Sequence, residues 1–283
     1  DTGIGIPQKD LENIGDRFFR ASNTGKIDGT GLGLAIVQKI LNTYGGSKEI
    51  TSKPNKGTTV TISLPAYCTL IHMTNDDYVS RTIRAYDDAK RYEEATEEIV
   101  PENELKQFTS YIPQNSKVLD AGCAFGRDSI FLDKLGFEVH GIDLSEALIS
   151  RARQKYPHIS FSVSDLRKIS YPDSAFTGVW CNATLLHLKD EDILSALKEF
   201  KRVLMPGGIL AVSFKKGEGT QIFVEKFSSD AERFFNFKTQ ETLLPLLKSA
   251  GFEEIDHHYL NEQERYGKDK RDLDWLYSFS RST

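Results

Sequence analysis

The sequence predicts an α/β chain whose larger part is a doubly wound, mostly parallel sheet of about seven strands, and three observations carry that prediction. From Lys117 onward short β-rich runs alternate with longer helical ones, the order a parallel sheet requires because each crossover must hold a helix. Acids close the first three of those runs, at Asp120, Asp143 and Asp165. A glycine-bent turn, Gly122-Cys123-Ala124-Phe125-Gly126, follows the first run directly.

The elements read in order as follows. Residues 117–121 form the first strand, and the turn after it leads to a helix through Ile130, Phe131 and Leu135. Residues 138–142 form the second, and Ser145 is placed to cap the next helix, which carries Leu148 and Ile149. Residues 159–163 and 178–181 are the third and fourth. A helix over 190–204 repeats Ile193, Leu194, Leu197, Phe200, Val203 and Leu204 at helical spacing before Met205-Pro206-Gly207-Gly208 stops it. Residues 209–214 are the fifth strand, a longer segment reaches a helix at 240–250, and runs at 253–259 and 273–280 complete the sheet. Ahead of it, 86–98 and 103–111 read as helices able to cover one edge.

The chain has 283 residues, 39% hydrophobic and 27% charged, with a formal net charge of -5. No apolar run approaches the roughly eighteen residues that span a bilayer. Cys68, Cys123 and Cys181 are scattered singly, without the paired spacing of a zinc site or disulfide framework, so no metal is expected and a reducing cytoplasm is the simplest setting. The acidic balance argues against a phosphate-tracking surface, and no nucleic-acid partner is expected. The chain opens at Asp1, inside a glycine-rich motif and without a leader, and reads as truncated at its front.

Residues 1–66 stand apart. Asp1-Thr2-Gly3-Ile4-Gly5-Ile6-Pro7 and Gly29-Thr30-Gly31-Leu32-Gly33-Leu34 are glycine-spaced loops that let a backbone approach a phosphate, the second running into an apolar helix. With Phe18-Phe19-Arg20 between them and a strand pair closing at residues 57–65, they resemble the C-terminal half of a sensor histidine kinase ATPase domain, an incomplete α/β sandwich. That resemblance implies that Asp1 meets the adenine amine and that Gly29, Gly31 and Gly33 lie beside the phosphates, with Gly3 and Gly5 shaping the first loop. The family's magnesium-binding asparagine helix and phospho-acceptor helices would lie upstream. Half a sheet cannot bury the faces of the rest, so independent ATP binding is not expected. Residues 67–80 read as a linker. Met73 would suit a free-standing second domain at 81–283, as in two reading frames joined by natural fusion or by an assembly error.

In the second domain the three acids converge on one sheet edge, which in an open α/β sheet is the ligand crevice. Asp143 follows Asp120 by about twenty residues, the offset at which an acid meets ribose hydroxyls. Taken singly, each acid could equally cap or turn the chain. A nicotinamide dinucleotide would need Gly-x-Gly-x-x-Gly, and the turn lacks that register. Val118 to Gly126 instead resembles the first motif of class I S-adenosylmethionine-dependent methyltransferases. The similarity continues through Gly141-Ile142-Asp143-Leu144-Ser145, Ser164-Asp165-Leu166, Leu185-Leu186-His187-Leu188 and Val203 to Gly208. It implies a Rossmann-like sheet with Gly122 and Gly126, and the intervening Cys123 and Ala124, against the amino-acid part of S-adenosyl-L-methionine. Asp143 and Leu144 would face the ribose, Asp165 and Leu166 the adenine, and Asn182 the methionine moiety, with Asp120 orienting the loop. Ala124 departs from the family's central glycine.

Methyl transfer needs alignment and a dry pocket more than a catalytic group. If the acceptor must lose a proton, His187 is the candidate base, and fixing the following helix is its plain alternative. Cys181 lacks the Pro-Cys context of a cytosine-ring nucleophile, and Asn182-Ala183-Thr184-Leu185 lacks the loop of base-amine methyltransferases. Substrate contacts are expected from Tyr86, Tyr92 and the segment 217–238, with Phe223, Phe227, Phe234, Phe235 and Phe237, against the alternative of plain core packing. The resulting expectation is an enzyme that methylates a small molecule. A signalling protein built on the kinase portion and a catalytically idle cofactor binder are the other classes.

Overall fold

The structure, a computed structural model, describes residues 1–11, 13–15, 19–25, 30, 33–35, 37, 41, 47–63, 78–86, 88–223, 232–268 and 270–283. The chain divides into two compact units, Asp1–Asn75 and Asp76–Thr283.

The first unit contains an antiparallel hairpin, β1 (Ser47–Lys53) and β2 (Gly57–Ser63), in the place where the sequence predicts a strand pair. The turn between them uses Asn55 and Gly57 at positive φ, and the opening loop lies so close that a Cβ on Gly57 would meet the Asp1 carbonyl at 1.9 Å. Asp1 Oδ1 accepts from the Gly3 amide at 2.8 Å and the Thr58 amide at 3.1 Å, which fastens the loop to the hairpin. Val60 and Ile62 remain 42% and 51% exposed on β2.

The second unit is built on a seven-stranded sheet in the order β10-β11-β7-β6-β3-β4-β5. Its strands are β3 (Lys117–Ala121), β4 (Glu138–Asp143), β5 (Ser160–Val163), β6 (Phe176–Cys181), β7 (Leu204–Lys215), β10 (Phe252–Asn261) and β11 (Asp274–Ser282). The first five run parallel, and β11 enters antiparallel between β7 and β10. β7 begins at Leu204, so Met205-Pro206-Gly207-Gly208 ends the preceding helix from within a strand start, where the register against β6 is irregular. A small hairpin, β8 (Thr220–Phe223) with β9 (Arg233–Asn236), follows β7.

Both faces of the sheet are covered because successive strand residues point to opposite sides. Leu119, Val179, Leu210 and Val212 pack on one side with Ile193, Leu197, Phe200 and Val203 of one long helix and Leu243 and Leu247 of another. Val118, Val139, Trp180, Ile209 and Ala211 pack on the other with Leu105, Phe108, Leu132, Ile149 and Ala152. The helices are α1 (Tyr78–Arg84), α2 (Ala89–Thr96), α3 (Glu102–Ser110), α4 (Arg127–Lys134), α5 (Glu146–Lys155), α6 (Asp190–Val203), α7 (Gln240–Ser249) and the short α8 (Glu262–Tyr266). Ser145 caps α5 by accepting from the Leu148 amide at 3.3 Å.

The helix predicted over 86–98 is α2, which begins only at Ala89, after a break that separates it from α1 and holds Tyr86. The break has a local cause, since the Asp88 carboxylate accepts from the Arg91 amide and starts a new helix there. Tyr78 and Val79 are buried in the sheet's core, so helical structure of this unit begins within the stretch read as linker. Among the described residues no helix is long and apolar enough to cross a membrane.

α6 depends on its buried stripe more than on its caps, because no side chain caps its N-terminus. Phe200 in that stripe is 0% exposed. Phe200→Ala is expected to cost about 3–5 kcal/mol in urea unfolding of the full chain, and a loss under about 1 kcal/mol would contradict this packing.

Candidate functional site

The parallel strands deliver their ends to one rim, and the crossovers leave β3 and β6 in opposite directions, which opens a crevice between them. The loop after β3 is shaped there. The Gly122 and Cys123 amides both donate to the Ile142 carbonyl, at 2.7 and 2.9 Å, folding the loop over the end of β4. Gly122 has φ +86, and a Cβ there would meet the Thr184 side chain at 2.1 Å. Ala124 takes φ +49, a left-handed conformation that costs an L-residue roughly 1–2 kcal/mol. The central position is therefore one that favours glycine, and the loop holds alanine in it.

Asp143, the last residue of β4, fixes that strained loop. Its Oδ2 accepts from the Ala124 amide at 3.0 Å and its Oδ1 from the Ser145 amide at 2.9 Å. Burial raises its pKa, against the pull of the Ser145 and Ala124 amides. Each oxygen keeps a lone pair for a further donor. Asp165 differs, because Arg167 Nε lies 3.0 and 3.1 Å from its two oxygens, Arg167 Nη2 at 2.7 Å and the Arg167 amide at 2.8 Å. The expected adenine-facing carboxylate is thus already engaged by a guanidinium two residues on.

Two cavities adjoin at the rim. One, about 800 Å³ and open to solvent, is lined by Asp143, Leu144, Asp165 and Leu166 with Val79 and Thr82. The other, about 940 Å³, is lined by Asp120, Cys123, Asp128, Lys215, Arg233 and Glu262 among others. Tyr86, Tyr92, Gly122, Ala124, Asn182 and His187 line both. The three acids singled out in the sequence therefore stand along one rim, two in the first cavity and Asp120 in the second. Gly126 lines neither. It begins α4 at φ +86 against Phe161 and Tyr156, so it turns the loop from behind.

Asp120 is 2% exposed and accepts from Ser129 Oγ. Burial first, and then the Asp128 charge, push its pKa up to about 8, which makes it a neutral acid at neutral pH. Asp128 was not singled out in the sequence, yet it ties the start of α4 to the end of β6. It accepts from Trp180 Nε1 and Asn182 Nδ2, both at 2.9 Å, and pairs with Arg127 at 2.7 Å. Burial opposes its charge, and Arg127, Trp180 and Asn182 outweigh burial and lower its pKa. Asn182 in turn accepts from Ser213 at 2.6 Å and Tyr277 at 3.2 Å, tying β6 to β7 and β11. For Asp128 the available signal was its place in the Gly126-Arg127-Asp128 start of a helix beside a glycine turn.

His187 has both ring nitrogens occupied. Nδ1 lies 2.8 Å from the Phe234 carbonyl and therefore donates, which leaves Nε2 to accept from the Tyr86 hydroxyl at 2.8 Å. Arg233 Nη1 donates to the same hydroxyl at 2.8 Å. Burial, then the Arg233 charge, pull the imidazole down to about 3. The expected general base is a neutral link between α6's approach and the β8–β9 hairpin. Cys181 is buried with its thiol pushed well up by burial, which suits no nucleophile. Of the expected aromatics, Phe235 lines the second cavity, Phe223 stacks on it at 4.5 Å, and Phe234 and Phe237 pack in the core. Phe227, Gly29 and Gly31 lie outside the described residues. Among the described residues no group of three or more His, Cys, Asp or Glu is placed to hold a metal.

Residues 118–208 match the model of the methyltransferase domain family. The second unit carries a methyltransferase domain. Within it the match runs from β3 through the start of β7 and so takes in the rim just described. Residues 1–67 match a second family, the histidine kinase-, DNA gyrase B- and HSP90-like ATPases. The 2-methyl-6-phytyl-1,4-hydroquinone methyltransferase of Synechocystis is 38% identical over 106 residues, 36% of this chain and 33% of that protein. The sensor histidine kinase WalK of Bacillus subtilis is 49% identical over 67 residues, 23% of this chain and 11% of the kinase. The chain spans 33% and 11% of the length of these two curated relatives, and no more than half of any of the first three it matches. Among solved structures, the Burkholderia thailandensis 1,6-didemethyltoxoflavin-N1-methyltransferase, bound to 1,6-didemethyltoxoflavin and S-adenosylhomocysteine, aligns with a TM-score of 0.56 at 19% identity. That alignment covers 74% of this chain and 91% of the other, and it shows that the methyltransferase domain has the Rossmann-like fold of these enzymes.

The neutral His187 has a measurable signature. In the unfolded chain it binds a proton near its ordinary pKa of 6.5, and in the folded domain only near 3. Its contribution to stability is complete above the first value and lost as pH falls toward the second. The urea midpoint of the wild type is expected to fall more steeply than that of His187→Gln below about pH 6.5. Parallel pH profiles would contradict the buried neutral assignment.

Proposed function

We propose that the methyltransferase domain moves the methyl group of S-adenosylmethionine to a small-molecule acceptor. The observation that carries this reading is the pair of adjoining cavities, one lined by Asp143, Leu144 and Leu166 and one by charged and aromatic side chains, joined through Tyr86, Tyr92 and Asn182.

The residues present fit an adenosyl group. The Asp143 carboxylate is already oriented by two backbone amides and retains acceptor capacity for a ribose diol. Leu144 and Leu166 offer apolar flanks for the adenine, and the Asp165–Arg167 pair edges that end with a fixed polar group. Gly122, Ala124 and Asn182, at the boundary of both cavities, would hold the methionine part. When bound, the cofactor supplies a methyl carbon on a sulfonium that carries its own leaving group.

The chain's own task is then alignment and exclusion of water. Tyr86 is held by Arg233 and His187 in a fixed orientation at the junction, and Tyr92 packs edge-on against it at 4.9 Å. Their rings give an apolar, electron-rich wall suited to a cationic sulfonium. His187 acts as a positioning residue for Tyr86. Asp120, neutral and hydrogen-bonded to Ser129, adds no second negative charge beside Asp128.

Calorimetry of the full chain against S-adenosylmethionine, ATP and NAD separates this reading from a dinucleotide-binding sheet. Binding of S-adenosylmethionine is expected, with at least a tenfold loss in Asp143→Ala, roughly the value of charge-assisted hydrogen bonds. NAD bound more tightly than S-adenosylmethionine, or unchanged affinity in the variant, would overturn it.

A further inference from the structure

Resting on the reading of the first cavity as the seat of an adenosyl group, we propose that Arg167, and not Asp165, reads the purine edge, so that the site binds a 6-oxo purine as well as a 6-amino one. Arg167 lies in a tight turn just after β5, where the Lys168 amide donates to the Asp165 carbonyl at 3.0 Å and the Arg167 amide to Asp165 Oδ1 at 2.8 Å. Among the described residues lining this cavity it is the one lysine or arginine.

Asp165 has little left to offer an adenine amine. Its Oδ1 accepts from the Arg167 amide and Nε at 2.8 and 3.0 Å, and its Oδ2 from Nε and Nη2 at 3.1 and 2.7 Å, against about four lone-pair sites on a carboxylate. Burial opposes the Asp165 charge, and the Arg167 side chain and amide outweigh burial and lower its pKa, so the carboxyl is an anion already matched to a cation. Arg167, by contrast, keeps donors. Its Nη1 lies 3.3 Å from Asp192 Oδ2 and its Nη2 2.7 Å from Asp165 Oδ2. Among the described residues each terminal nitrogen thus meets one carboxylate, and its second N–H is available to a guest.

Two elements hold the guanidinium in place. Asp165 grips it from the end of β5, and Asp192 grips it from the first turn of α6. Asp192 also accepts from the Tyr78 hydroxyl of α1, and that hydroxyl accepts from the Lys189 amide at 3.1 Å. A guanidinium only donates, so it suits the ring nitrogens of a purine and a carbonyl at its 6-position, and it makes no hydrogen bond to a 6-amine that is itself a donor. A free carboxylate would do the reverse, accepting from the amine and repelling the carbonyl.

The test is calorimetry of the full chain with S-adenosylhomocysteine and its 6-oxo counterpart, S-inosylhomocysteine, neither of which carries a methyl group to transfer. The wild type is expected to bind the two within about fivefold of each other, less than a hydrogen bond to a charged group is worth. In Arg167→Met, which keeps an apolar stem, Asp165 is released to accept from the amine, and the adenosyl compound should be preferred by more than about fivefold. A wild-type preference for the adenosyl compound beyond about fivefold, or a preference unchanged in Arg167→Met, would overturn the proposal. The wild-type comparison decides it even where the variant folds poorly. Binding of the adenosyl compound with rejection of the inosyl one sinks only this proposal, whereas binding of neither sinks the methyl-transfer reading with it.

Discussion

The buried carboxylate of Asp128 is the constraint on which the rim depends. It lies where the crossovers diverge, on the first turn of α4, and accepts from groups on β6 and on the residue just after it. A carboxylate removed from water costs several kcal/mol unless its lone pairs are filled, and here Arg127, Trp180 and Asn182 fill them. Once Asn182 is oriented by this anion, its own oxygen is free to gather Ser213 and Tyr277. One charge thus links α4 to β6 and, through Asn182, to β7 and β11, at the boundary between two cavities.

The same charge explains its neighbour. Two carboxylates cannot both ionise cheaply in a buried site, so the Arg127 partner decides which does. Asp128 stays ionised and Asp120 stays protonated. The Asp143 carboxylate, buried too, is placed by backbone amides instead and lines the first cavity. Three acids that look alike in the sequence therefore take three electrostatic roles.

Much of the fold was legible because strands buried on both faces are written as short apolar runs bounded by turns. Residues 117–121 are read as a strand and form β3, and the helix predicted over 190–204 is α6 almost residue for residue. The rim was legible for a related reason, since acids at or just after the ends of β3, β4 and β5 line the two cavities there. Side-chain convergence was not. Lys215 and Arg271 are far apart in sequence and meet only because β11 enters antiparallel beside β7. Asp165 was given to the adenine by the resemblance, and its pairing with Arg167, two residues away, was not read. The start of α2 was read three residues early because the Asp88 cap looks, in sequence, like one more polar residue on a helix.

The most direct measurement of the central claim is the effect of Asp128→Asn, which keeps shape and removes charge. If the anion organises the rim, this substitution leaves Arg127 buried without its counter-charge. Unfolding stability should then fall by about 3–5 kcal/mol, and S-adenosylmethionine affinity should drop with it. A variant that matched the wild type in both stability and affinity would contradict the account.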